Sequence, residues 1–97
     1  MKIANLINER GNRAVNQFVI THGDYVYFQS YETMIGRYNK VTGEMLITHD
    51  WDCSATTRKH FYIWLADYTP FWNKRERVLE NIKNGVFKVV SEGEISI

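Results

Sequence analysis

Residues 47–68 read ITHDWDCSATTRKHFYIWLADY, and the texture of the chain changes inside them. Up to His49 the side chains alternate. Met45 and Ile47 fall on one side of an extended segment, Leu46 and Thr48 on the other. From Ser54 the period becomes helical. Thr57, Phe61, Trp64, Leu65 and Tyr68 recur at the spacing of one helix face, an apolar stripe suited to packing on a sheet. Ser54 is a good N-cap, because its hydroxyl oxygen accepts from an otherwise unpaired backbone N–H. Thr69-Pro70 ends the helix, since proline disfavours helical geometry in the residue before it.

Upstream the β texture continues back to Gln17. Phe18-Val19-Ile20-Thr21 and Tyr25 to Ser30 flank a His22-Gly23-Asp24 turn and read as a hairpin. Thr33 to Tyr38 is a third strand, in which Gly36 predicts a bulge or a close backbone approach. After a Lys40–Gly43 turn, Glu44 to His49 is the fourth. Residues 16–50 thus predict a four-stranded antiparallel meander. Residues 1–14 predict a short helix or an extended arm, because Ile3, Leu6 and Ile7 are spaced as on one helix turn before a polar stretch.

Downstream, a second helix is expected from about Trp72 to Asn84, with Val78, Leu79 and Ile82 as its apolar face and Asn84-Gly85 as its C-terminal signal. Residues 54–85 would then hold two helices. Residues 86–91 read as a final strand and 92–97 as a tail. The fold class is α+β, in one domain spanning residues 1–97, a length suited to one core and too short for two.

Composition narrows the function classes. The net charge of +1 favours no class of partner, but residues 54–85 hold Arg58, Lys59, Lys74, Arg75, Arg77 and Lys83 against three acidic residues. A single cysteine, Cys53, excludes an intrachain disulfide and fits a reducing compartment. No apolar run approaches a membrane span and the N-terminus lacks a signal-peptide core, so a cytoplasmic protein is expected.

The groups that could carry chemistry each have a plainer reading. His22, His49, Cys53 and His60 are soft metal ligands, but their spacing matches no common zinc site. Cys53 with His60 lacks an obvious third group for thiol catalysis, and reads better as a small buried hydrophobe. Asp50 and Asp52 flank Trp51 ahead of a helix whose positive end favours them. No phosphate-binding glycine loop or nucleophile elbow is present. The expectation is therefore no enzyme, no metal and no cofactor. Tyr62 and Ile63 point away from the sheet-facing stripe, beside Arg58 and Lys59, so a second helix, a partner or a second copy should cover them. With Phe71, Trp72, Lys74, Arg75 and Arg77 they form the candidate interaction surface, for a protein or, through its basic and aromatic members, for a nucleic acid.

Three stretches also carry a resemblance. They are Asn16-Gln17-Phe18-Val19-Ile20, then Phe28-Gln29-Ser30-Tyr31, then Trp51-Asp52-Cys53-Ser54-Ala55-Thr56-Thr57-Arg58-Lys59. In these the chain resembles small uncharacterised proteins of bacteriophages and prophages, which carry N-Q-F-V-I, F-Q-S-Y and W-D-Y-S-x-T-T-x-K elements in that order. Cys53 departs from the usual tyrosine. The resemblance implies provenance rather than activity: a small phage gene product inside a bacterial host, of a kind that often occupies a host protein. Anti-defence inhibition, including inhibition of CRISPR nucleases, is the sharpest form of that expectation. Taken by itself the motif reads as structure. Trp51 anchors the sheet-to-helix junction, while Ser54, Thr56 and Thr57 serve the first helical turn. Gln29, Ser30 and Tyr31 gather where a strand ends, as a corner or a recognition surface.

Overall fold

The β-rich first half and helical second half appear as expected, but the sheet is wider than the meander. A computed structural model describes residues 1–97. The strands are β1 (Lys2–Ile7), β2 (Arg13–His22), β3 (Tyr25–Ser30), β4 (Thr33–Asn39), β5 (Met45–Ile47) and β6 (Phe87–Val89). They lie side by side in sequence order in one six-stranded sheet. Neighbours are antiparallel from β1 to β5, and β6 joins β5 in parallel. A parallel neighbour needs a crossover. Here that crossover is a 3-10 turn (His49–Asp52), α1 (Ala55–Tyr68) and α2 (Arg75–Lys83).

The N-terminal segment corrects the expectation of a helix or arm. It is a sheet edge: Lys2 to Asn5 pair with Thr21 to Phe18. A single isolated helical turn is unfavourable in water, whereas the side of β2 offers a ready ladder. Only Leu6 of the three spaced apolar residues is buried; Ile3 and Ile7 remain exposed. The register slips between Asn5 and Ile7, where β2 carries extra residues. One of these, Asn16, has φ of +61°.

Alternation along the strands makes two apolar layers. The main core joins Val19, Val26, Phe28, Ile35, Met45 and Ile47 to Phe61, Trp64 and Leu65 of α1 and to Val78 of α2. The opposite sheet face buries Ile20, Tyr27, Met34 and Leu46. Ile95 covers that second layer and is itself fully buried. The segment read as a tail is thus held in place. Its 3-10 turn (Glu92–Glu94) follows β6, and the Glu92 carboxylate accepts the Met34 N–H at 2.9 Å.

Gly36 fulfils both parts of its expectation. Ile35 is the extra residue between the pairs Phe28–Gly36 and Gln29–Met34, so a bulge sits there. A Cβ on Gly36 would stand 3.0 Å from the Trp64 ring. α1 crosses the sheet where the sheet has no side chain. Three helical details differ from expectation. Tyr68 is partly exposed at the end of its stripe. α2 begins at Arg75 rather than Trp72: Lys74 at its N-cap has extended backbone angles, and the Phe71 ring before it is turned inward against Phe87. Leu79 is exposed, leaving Val78 as the buried residue of α2.

Gly36→Ala is expected to lower unfolding free energy by about 1–3 kcal/mol, the usual range for overpacking a filled core. Urea denaturation measures it; an unchanged midpoint would mean that the Trp64 ring does not seat on this glycine.

Candidate functional site

The junction between β5 and α1 is built from short polar side chains. Ser54 caps α1: its Oγ accepts the Thr57 N–H at 3.1 Å. The Ser54 hydroxyl also donates to Thr57 Oγ1 at 3.1 Å, and Ser30 Oγ lies 3.1 Å from the same Thr57 oxygen. The end of β3 is thus tied to the first turn of α1. Thr56 takes no part through its side chain, which corrects its expected role. Its carbonyl instead accepts from His60 Nδ1 at 2.7 Å.

Gln29, Ser30 and Tyr31 divide their contacts at the strand end. Ser30 turns under α1, while Gln29 donates from Nε2 to the Tyr31 carbonyl at 2.8 Å and Tyr31 projects to solvent. Directly across from Ser30 stands Gln17, fully buried, with neither carboxamide atom hydrogen-bonded. The sequence reading assigned Gln17 no role. A glutamine within an apolar β run was the available signal.

Trp51 is buried against Phe61, ring centroids 5.7 Å apart, and the Arg75 guanidinium lies over its ring at 5.6 Å. Asp52 accepts from Arg58 at 2.6 Å and from Arg75 at 2.9 Å. The Arg58 hydrogen bond, aided by Arg75, holds the Asp52 carboxyl below the usual carboxylate range, and Asp52 in turn raises the Arg75 pKa. Asp50 and Asp52 lie on the 3-10 turn ahead of α1, and Asp52 is occupied by the two arginines.

The same pairing spends much of the positive charge read from residues 54–85. Lys59 meets Glu9 at 2.8 Å, holding that carboxyl low, and Arg77 approaches Glu80 at 3.6 Å. Four of the six basic residues thus face carboxylates, leaving Lys74 and Lys83 without ion-pair partners.

Glu9, Arg58, Lys59, Tyr62, Ile63 and Asn73 line a groove of about 330 Å³. Tyr62 and Ile63 are half-buried against the main core. The Tyr62 hydroxyl is buried near Arg75, whose pKa it helps to raise, though no partner meets full hydrogen-bond geometry. Phe71 departs from the expected surface role: its ring turns inward, edge-on to Phe87 at 4.8 Å and to Tyr38 at 5.9 Å. That anchor fixes the connector and leaves its neighbour Trp72 67% exposed. The Arg77 guanidinium lies 5.9 Å from the Trp72 ring.

No three of the His, Cys, Asp and Glu side chains group so as to hold a metal ion. Cys53 is an exposed free thiol, not the buried hydrophobe expected. No helix is long and apolar enough to cross a membrane. A family of unknown function, DUF8033, matches residues 1–81. No curated protein and no solved structure matches the chain.

Asp52→Asn is expected to cost about 1 kcal/mol near neutral pH, since its partly exposed pairs are screened by solvent. The native carboxyl titrates below its unfolded value of roughly 3.9. Its contribution is therefore complete above that pH and is lost as pH falls through the lower native value. Acid denaturation curves of wild type and variant should converge only below about pH 4; curves offset equally at every pH would exclude titration of Asp52 as the cause.

Proposed function

The chain belongs to the DUF8033 family, and from its geometry we propose that it works as a non-catalytic binding protein whose partner is another protein. The observation that carries this reading is Trp72. A large aromatic ring stands exposed on a connector that Phe71 holds in place. Tryptophan and arginine dominate the binding energy of protein interfaces, and a ring held ready before contact loses little conformational freedom on binding. Arg77 and Lys74 flank it, and the groove of Arg58, Lys59, Tyr62 and Ile63 opens beside Asn73 on the same connector. Apolar rings with a charged rim are the anatomy of a protein interface.

In its sharper form the proposal makes this a phage accessory protein acting in the cytoplasm of a bacterial host, by occupying a host protein. An anti-defence target, CRISPR nucleases among them, is the most specific version. That step rests on the phage-like sequence elements. The reading involves no cofactor and no chemical step.

A nucleic-acid-binding regulator is the alternative proposal, and it has less to stand on. Affinity for a phosphate backbone grows with the number of cations free to displace counterions. Arg58 and Arg75 share Asp52, and Lys59 meets Glu9, so much of the charge is already answered within the chain. A homodimer burying the same groove is the third arrangement, and a solution mass distinguishes it.

A tagged pull-down from a bacterial host lysate, with and without nuclease, tests the proposal. A host protein that stays bound after nuclease treatment is expected. Trp72→Ala should weaken that complex by about 2 kcal/mol or more while changing fold stability by less than about 0.5 kcal/mol. Loss of all captured protein on nuclease treatment, with Arg58→Glu and Lys59→Glu abolishing capture, would replace it with the nucleic-acid reading.

A further inference from the structure

The far end of the sheet from Trp72 holds a second surface that the main core does not use. Two residues other than glycine have left-handed backbone angles, Asn16 at φ +61° and Tyr31 at φ +56°. They face each other: the Tyr31 N–H donates to the Asn16 carbonyl at 2.7 Å. Such angles are unfavourable for side chains with a Cβ, and most so for a bulky one. The fold itself does not require a tyrosine at that position. Tyr31 is 53% exposed, and only its backbone makes hydrogen bonds.

Around this pair lies a hollow lined by Asn16, Phe18, Tyr31, Glu32 and Thr33. Phe18 is half-buried on the sheet face opposite α1 and belongs to neither apolar core. Glu32 has no ion-pair partner in the chain, and no basic residue lines the hollow. The hollow therefore offers two aromatic rings and an unanswered carboxylate.

We propose that this hollow binds the guanidinium of an arginine side chain on a partner protein. A guanidinium is planar and permanently charged. It can lie on an aromatic face while pairing with a carboxylate, which a compact ammonium does less well. Stacked bases would also suit two rings, but their phosphates would meet Glu32 with nothing positive to offset it. The strained tyrosine then has a function, since the left-handed angle holds its ring at the rim. The site faces away from α1, so it stands or falls independently of the Trp72 surface.

Nuclear magnetic resonance titration of the whole chain with N-acetyl-arginine methylamide tests it. Amide shifts should be confined to the neighbourhood of Phe18 and Tyr31–Thr33. The citrulline analogue, equal in shape but uncharged, should bind about tenfold more weakly or not at all, and a mononucleotide should not bind. Glu32→Gln should weaken arginine binding about tenfold with no change in melting temperature. Tyr31→Gly should raise the melting temperature by relieving the backbone while reducing binding. Equal binding of arginine and citrulline analogues, stronger binding of the nucleotide, or undiminished arginine binding by Tyr31→Gly would each overturn the assignment.

Discussion

The arrangement depends on one contact, the Trp64 ring on the bare backbone of Gly36. The indole is fully buried and stacks on Phe28 with centroids 6.0 Å apart. A side chain on β4 at that point would lift α1 from the sheet. With α1 seated low, Phe61 reaches Phe28 and Trp51 together, and Thr57 comes within hydrogen-bond reach of Ser30. The seating has a cost. The indole N–H is buried without an acceptor, a loss of about 1–3 kcal/mol. Dense aromatic packing offsets it, since buried ring pairs contribute beyond their area.

The sequence carried the elements that obey a simple period. The hairpin, the third and fourth strands, the α1 stripe and the Ser54 cap all lie near where alternation and helical spacing put them. Gly36 was legible because a glycine within a strand has few structural reasons to be there. β1 was not legible, since Ile3, Leu6 and Ile7 fit a helix turn equally well and only the free side of β2 decides between them. Nor was the C-terminal cover. Ile95 is one apolar residue among polar ones, and its burial depends on a sheet face assembled from Ile20, Tyr27, Met34 and Leu46.

The candidate surface was legible in its members and not in its charge. Composition showed a basic half, but two of the three carboxylates that answer it come from outside that half. Glu9 lies in the β1–β2 turn and Asp52 ahead of α1, far in sequence from Arg75. Long-range pairing of this kind leaves no local pattern. The roles of Phe71 and Trp72 were likewise hidden. Adjacent aromatics in a connector look alike in sequence, and only the position of Phe87 decides which ring turns inward.

β6 is the one strand that does not neighbour its predecessor through a short turn. It pairs with β5 across the roughly forty residues that include both helices. During synthesis on the ribosome, β1 to β5 emerge first, each beside the strand just made. Both faces of that nascent sheet then lack their covers, because α1 and Ile95 follow β5 in the chain. An unclosed sheet with uncovered faces and open edges is the form of a protein most prone to aggregate. The chain therefore passes through its most vulnerable interval between the completion of β5 and the docking of α1 and Ile95, when a chaperone would find the most to hold.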